Sequence, residues 1–171
     1  PFVTAGYPEK DAFIATLKAL ASSSEVIEIG VPFSDPMADG VTIQRSSRVA
    51  IEHGVSLRWI IEQLRTSGGI GVPVVLMSYL NPLLAYGFTR LAKDARAAGV
   101  CGFIVPDLPW EESEELRTVL DQQGLALVQL VLAESAGSAV ELATAGITTL
   151  ASAWMAWRIA LVVAEAILAR P

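Results

Sequence analysis

The sequence has little of what several common kinds of functional site require. Its 171 residues include one cysteine, Cys101, and one histidine, His53. A disulfide framework and a zinc site of ordinary ligand spacing are therefore excluded. Eighteen acidic residues against twelve basic ones give a net charge of −6, and no Lys/Arg cluster opposes it. This balance argues against binding nucleic acid through a basic surface. The sequence also has no P-loop, no G-x-G-x-x-G motif and no nucleophile motif.

The scarce residues that are present have ordinary structural interpretations. Cys101 lies in an apolar, strand-like run, which predicts an inert core thiol in a reducing compartment such as the cytoplasm. His53 stands beside Gly54 near a predicted helix end, where a solvated or capping role is expected. Apolar residues make up 53% of the chain and charged residues 18%. A single domain over 1–171 with a sizeable core is expected. Because Pro1 opens directly into a predicted strand, we expect a trimmed or partial chain.

Strand and helix patterns alternate along the chain. Short apolar runs separated by single amphipathic helices predict β-α-β units with parallel strands and right-handed crossovers. Two architectures stay open on this pattern, an open doubly wound sheet and a (β/α) barrel. The predicted strands cover 2–4, 25–30, 72–77, 101–105, 125–132 and 147–150. The predicted helices cover 11–22, a short helix through Val49, one beginning after Ser56, and 88–98, 110–123 and 135–145.

One carboxylate lies within an apolar strand. Glu28 shares a strand face with Val26 and Gly30, because side chains alternate along a strand. If that face points into a closed core, desolvation raises the pKa of Glu28 toward values useful for proton transfer. The alternative is a strand-end Glu paired with a Lys or Arg. The loop that follows carries Asp35 and Asp39 between Pro and Gly residues, so strand and loop together are a candidate acid–base site.

Two stretches carry a family resemblance. Residues 1–8 read Pro-Phe-Val-Thr-Ala-Gly-Tyr-Pro, and residues 28–40 read Glu-Ile-Gly-Val-Pro-Phe-Ser-Asp-Pro-Met-Ala-Asp-Gly. Both closely resemble the tryptophan synthase alpha subunit family, and the resemblance runs to about residue 129. It implies a lyase that cleaves indole-3-glycerol phosphate to indole and glyceraldehyde 3-phosphate without a cofactor. It also implies a TIM-type barrel. A complete barrel takes about 250 residues and eight units, so six predicted strands indicate an incomplete one.

The resemblance assigns the two central roles to carboxylates. Glu28 matches the principal acid–base residue, which delivers a proton to carbon C3 of the indole ring as the C–C bond breaks. Asp39, in Ala-Asp-Gly, matches the residue that accepts a hydrogen bond from the indole N–H. A carboxylate there would stabilise the positive charge that develops on the nitrogen. Without the resemblance, an Asp before Gly is most often a turn residue.

Five further positions match residues that surround the family's substrate. Phe2 and Tyr79 correspond to residues that line the indole pocket, although each could equally be a core or rim residue. Thr4, Gly30 and Asp107 match positions that support the site. For Asp107, in Pro-Asp-Leu-Pro, a turn before a helix is an equal alternative.

The resemblance also implies a partner. Asp35 and Pro36 lie in the loop that the family directs toward its beta subunit, and Asn81 matches a second contact region. An incomplete barrel would expose strand edges, which predicts self-association as well. The alternative function is therefore a non-catalytic chain that binds a beta subunit or a second copy of itself. A third alternative is an incomplete product that folds poorly.

The end of the chain departs from the family pattern. Phosphate binding in such barrels uses glycine-rich loops after strands seven and eight, and no Gly follows Gly146. Residues 151–171 instead predict a divergent helix that is apolar nearly all round. We expect it to cover a sheet edge or an oligomer interface, or to have no native role. A membrane span is disfavoured because Arg158 and Glu165 interrupt the apolar run.

Overall fold

Five parallel strands form the framework of the protein. The computed structural model describes residues 1–37 and 39–129, and the strands in this part lie side by side in the order β1-β2-β3-β4-β5. Their bounds are β1 Phe2–Thr4, β2 Ile27–Gly30, β3 Val74–Met77, β4 Val100–Val105 and β5 Ala126–Gln129. The sixth strand predicted over 147–150 and the helices predicted over 135–145 and 151–171 lie outside the described residues.

Helices connect the strands as the alternating pattern predicts. Two helices lie between β2 and β3, two between β3 and β4, and one in each of the other connections. Their bounds are α1 Phe13–Ala21, α2 Val41–Glu52, α3 Leu57–Thr66, α4 Leu80–Tyr86, α5 Phe88–Ala97 and α6 Glu114–Gln122. Short 3-10 turns at Lys10–Ala12 and Trp110–Glu112 precede α1 and α6. Among the described residues, no helix has both the length and the hydropathy needed to cross a membrane.

Strand order and the placement of helices decide between the two architectures that the sequence left open. Each crossover moves to the next strand in the same direction, whereas a doubly wound sheet reverses its order at a switch point. The main hydrophobic core joins one face of the strands, with Ile27, Ile29, Leu76 and Phe103, to buried residues of the helices. A doubly wound sheet would have helices on both faces. The described residues therefore form an arc of a (β/α) barrel.

The opposite face of the strands is the inner face of the arc. A second apolar cluster lies there, made of buried Val75, Ile104 and Val128 with Val26 and Met77 against it. All its members come from strands or their immediate flanks. Glu28 lies two residues after Val26, so both are on the same face of the strand. Glu28 also stands in register with Val75, and it therefore belongs to this inner face.

The helix that follows Ser56 begins as predicted. The Ser56 hydroxyl accepts a hydrogen bond from the backbone N–H of Trp59 at 3.3 Å, which satisfies one of the free amides of the first turn. Leu57, Ile60, Ile61 and Leu64 are buried in the main core. This spacing of apolar residues is the one that predicted the helix.

The helix α4 was not predicted, because its sequence contains Asn81-Pro82 and resembles a turn. Pro82 is the third residue of the helix, where its missing N–H costs nothing since the first-turn amides lack helical partners. The carboxylate of Asp107 accepts a hydrogen bond from the backbone N–H of Leu80 at 2.9 Å. A residue 27 positions further along the chain thus stabilises the start of this helix.

Several boundaries and one burial prediction need correction. The strands predicted from 25 and 72 begin at Ile27 and Val74, and α2 continues to Glu52 rather than ending near Val49. Cys101 is only half-buried in β4, so the prediction of a core thiol was wrong. The pairing of β4 with β3 shifts by one residue here: Val100 pairs with Val74 and Gly102 with Val75, so Cys101 is an extra residue without a partner on β3.

We predict that Gly102→Ala destabilises the fold. A Cβ at Gly102 would lie 2.6 Å from the backbone oxygen of Ala126 on the neighbouring strand, which would force β4 and β5 apart at a cost of about 1–3 kcal/mol. Urea unfolding should show a lower midpoint. The control is Gln122→Ala, a truncation of an exposed residue at the end of α6. An equal loss in both variants would contradict the prediction.

Candidate active site

Glu28 lies on the inner face of the arc, at the second position of β2. Its neighbours in register are Phe2 on β1 and Val75 on β3, so apolar side chains flank it on both sides. Burial raises the pKa of the Glu28 carboxyl above its ordinary value, and the positive N-terminus opposes this shift to a smaller extent. Both ion pairs found among the described residues, Arg65–Glu62 and Arg90–Asp94, lie on helices. The described residues therefore give no support to the alternative that Glu28 pairs with a Lys or Arg.

Asp39 lies on the loop that leaves the carboxyl end of β2, the end at which barrels build their sites. Partial burial raises the pKa of its carboxyl, and a hydrogen bond donated by the Tyr79 hydroxyl acts in the opposite direction. Tyr79 is 4% exposed and stacks on Phe33 with the ring centroids 5.1 Å apart. The Asp39 carboxylate thus links the loop after β2 to the segment after β3.

Asp107, in the connection after β4, contacts the same segment after β3. It follows β4, and its carboxylate accepts the hydrogen bond from Leu80 N–H, which fixes the residue directly after Tyr79. A carboxylate at the start of a helix is also favoured by the helix dipole. Asp107 thus links the segment after β4 to the start of α4.

Thr4 is buried at the end of β1, and its hydroxyl points to a helix. Its Oγ1 lies 2.7 Å from Oγ of Ser46 on α2, and Ser46 donates to the backbone oxygen of Ile43 at 2.9 Å. Since the Ser46 proton is used in that bond, Thr4 is the donor to Ser46. Thr4 thus holds α2, the helix that follows Asp39, against the first strand.

Phe2 is half-buried on the inner face, and its ring covers Gly30. A Cβ at Gly30 would lie 2.8 Å from Cε2 of the Phe2 ring and closer still to Cζ. Only a glycine leaves this space. The ring stands beside Glu28 in register, which places an aromatic surface next to the candidate acid.

The residues expected to contact a partner lie together on an open groove. Asp35 and Asn81 line a cavity of about 580 Å³ with Tyr79, Met37 and Asp107 among its other walls. Met37 is 92% exposed. Pro36 lines the adjoining cavity of about 480 Å³. Tyr79 lines this groove and also contacts Asp39, so the candidate interface and the candidate site adjoin each other.

His53 ends α2 and takes no part in this arrangement. Its side chain is exposed, and its backbone oxygen accepts a hydrogen bond from Lys10 at 3.0 Å. Two other residues that do contribute were missed, Phe33 and Ser46. Both act through contacts with residues more than forty positions away, and no periodicity or local motif indicates such contacts.

These features define a class of protein: a (β/α) barrel with a desolvated carboxyl on its inner face and a second carboxylate on the adjacent loop. Residues 1–150 match the family model described as "Tryptophan synthase alpha chain". The chain belongs to that family, and the match extends about twenty residues beyond the limit expected from the sequence.

Relatives agree with the family model. The chain is 50% identical over 133 residues to the tryptophan synthase alpha chain of Desulfovibrio desulfuricans, covering 77% of this chain and 52% of that one. The Xylella fastidiosa alpha chain is 47% identical over 148 residues, covering 84% and 54%. A tryptophan synthase structure from M. tuberculosis superposes with a TM-score of 0.72 at 37% identity, covering 76% and 53%. For the alpha subunit of Legionella pneumophila the TM-score is 0.70 at 36% identity, covering 74% and 50%. The chain spans about half the length of these relatives.

We predict that Glu28→Gln gains stability relative to the wild type as the pH rises. The raised pKa means that Glu28 ionises first in the unfolded state, so its contribution to the stability of the wild type is fully present below pH 4.5 and is lost as the pH rises through the folded-state pKa. Gln carries no charge and avoids this loss. Urea unfolding between pH 3.5 and pH 8 measures the gap between the unfolding free energies of the two proteins. The exposed Glu25→Gln is the control, and a gap that does not change with pH would contradict the prediction.

We predict that Tyr79→Phe raises the pKa of Asp39 further, because the hydrogen bond from the hydroxyl stabilises the ionised carboxylate. Titration of the Asp39 carboxyl by carbon-13 NMR measures the shift. Tyr7→Phe is the control, since Tyr7 is 42% exposed. An unchanged titration of Asp39 in Tyr79→Phe would show that the hydroxyl has no influence on it.

Proposed function

We propose that this chain carries the reaction centre of an indole-3-glycerol-phosphate lyase. The observation that carries the proposal is Glu28: a carboxyl on the inner face, flanked by Phe2 and Val75 and with its pKa raised by burial. Such a group stays protonated closer to neutral pH than an ordinary Glu, which suits a general acid. Membership of the family supports the reaction class.

In the proposed first step, the Glu28 carboxylic acid gives its proton to C3 of the indole ring. The ring then carries a positive charge at its nitrogen, and the Asp39 carboxylate stabilises this charge by accepting the N–H hydrogen bond. Asp39 must be ionised for this purpose. The hydrogen bond from Tyr79 favours the ionised form and offsets part of the effect of burial.

In the proposed second step, the Glu28 carboxylate left by the first step removes the proton of the 3′-hydroxyl and is protonated again. The electron pair left on the hydroxyl oxygen forms the carbonyl of glyceraldehyde 3-phosphate, the bond between C3 and C3′ breaks, and the bonding pair returns to the ring and neutralises the nitrogen. The products are indole and the aldehyde, with no external oxidant or cofactor. Phe2, beside Glu28 in register, would contact the flat face of the ring.

The second candidate is a binding partner for a tryptophan synthase beta subunit. The groove lined by Asp35, Asn81 and the exposed Met37 favours it, because Met is one of the residue types enriched at protein-binding surfaces. Both functions fit one chain, since the groove adjoins the Asp39 contact through Tyr79.

Indole release from indole-3-glycerol phosphate tests the proposal. We expect Glu28→Gln to lower the rate by about 10²- to 10⁴-fold, the usual contribution of a general acid. Glu25→Gln, an exposed carboxylate just before β2, is the matched control and should retain the wild-type rate. Each protein is assayed with and without a beta subunit, and complex formation is followed by size-exclusion chromatography.

Each outcome selects one candidate. Release that depends on Glu28 supports the lyase. Equal rates for the wild type and Glu28→Gln contradict it. A folded wild type that releases no indole but comigrates with the beta subunit supports the binding function instead.

A further inference from the structure

The loop between β2 and α2 has little backbone support of its own. It is fixed at one end by the bond from Val31 N–H to the Met77 oxygen at 2.8 Å, and at the other by the first helical bond, from Gln44 N–H to the Gly40 oxygen at 3.0 Å. Between these points, the described loop residues make no backbone–backbone hydrogen bond. A side chain that bonds to this backbone therefore contributes to the position of Asp39.

Gln44 supplies that support from the first turn of α2. Its Nε2 donates to the backbone oxygen of Asp39 at 2.9 Å and lies 3.5 Å from that of Pro36. A side-chain amide has two N–H donors, so one residue can serve two carbonyls of the same loop. The Gln44 side chain is exposed and leaves no cavity when it is replaced.

The helix that carries Gln44 is itself fixed to the sheet. Ser46, two residues further on, accepts the buried hydrogen bond from Thr4 at the end of β1. The amide of Gln44 thus projects from a rigid element, the arrangement that holds a reacting group in place most reliably. The chain of contacts runs from β1 through Thr4, Ser46 and Gln44 to Asp39.

We propose that Gln44 is a positioning residue for Asp39: its amide holds the loop backbone so that the Asp39 carboxylate meets the Tyr79 hydroxyl and faces the indole nitrogen. The inference rests on the proposed lyase function for its catalytic consequence. Its geometric part stands on the contacts alone, so the two parts can be tested separately.

The expected catalytic effect falls on kcat. A misplacement of about 1 Å can cost about 10²-fold in rate, and Asp39 interacts most strongly with charge that develops only in the transition state. Gln44→Met keeps the length and helix propensity of the side chain and removes both donors. We expect kcat to fall by about 10- to 100-fold, with a much smaller change in KM.

The matched control is Gln122→Met, an exposed helical glutamine at the end of α6. It should keep the wild-type kcat, and both variants should melt at the wild-type temperature. The decisive comparison is a double-mutant cycle with Asp39→Asn. If Gln44 acts through Asp39, Gln44→Met should change the residual rate of Asp39→Asn by less than about 2-fold. An undiminished loss in that background overturns the proposal.

An activity-independent measurement separates this inference from the proposed function. The carbon-13 carboxyl resonance of Asp39 reports its contact with the Tyr79 hydroxyl. Gln44→Met should move this resonance in the same direction as Tyr79→Phe does, whereas Gln122→Met should leave it in place. If the wild type releases no indole, the proposed function fails and this measurement alone decides the role of Gln44. An Asp39 resonance that is unchanged in Gln44→Met overturns it.

Discussion

The alternation of side chains along β2 is the constraint on which the rest of the structure depends. Ile27 and Ile29 are fully buried against the helices, and this fixes the register of the strand, because a shift by one residue would exchange the two faces. Glu28 must therefore lie on the inner face. Its desolvation, and the raised pKa that follows, are consequences of how its two neighbours pack.

The site is held by contacts between successive connections of the barrel. The Tyr79 hydroxyl joins the segment after β3 to the loop after β2, and the Asp107 carboxylate joins the segment after β4 to the start of α4. Each bond links a loop to the next one along the edge of the sheet. Parallel strands bring their carboxyl ends to one edge, so short side chains suffice for these links although their residues are far apart in sequence.

What could be predicted from the sequence depends on the range of the interaction. The inner-face position of Glu28 and the cap at Ser56 follow from local periodicity and local hydrogen bonding, and both were predicted correctly. Helix α4 was missed because a distant carboxylate stabilises a start that resembles a turn. The contact of Tyr79 with Asp39 spans forty positions, and no pattern within the chain encodes it. Periodicity left a barrel and a doubly wound sheet open; the family resemblance implied the barrel, and the strand order confirms it.

The sequential strand order has a consequence for how the site arises during synthesis. Among the described residues, each strand pairs only with strands adjacent to it in the chain, and such pairing closes shorter loops than pairing between distant strands. The contacts that hold Glu28 and Asp39 come from Phe2, Val75, Tyr79 and, through Leu80, Asp107. All these partners have been synthesised once the ribosome has added residue 107. None of these contacts therefore has to wait for the residues after 107 to be translated.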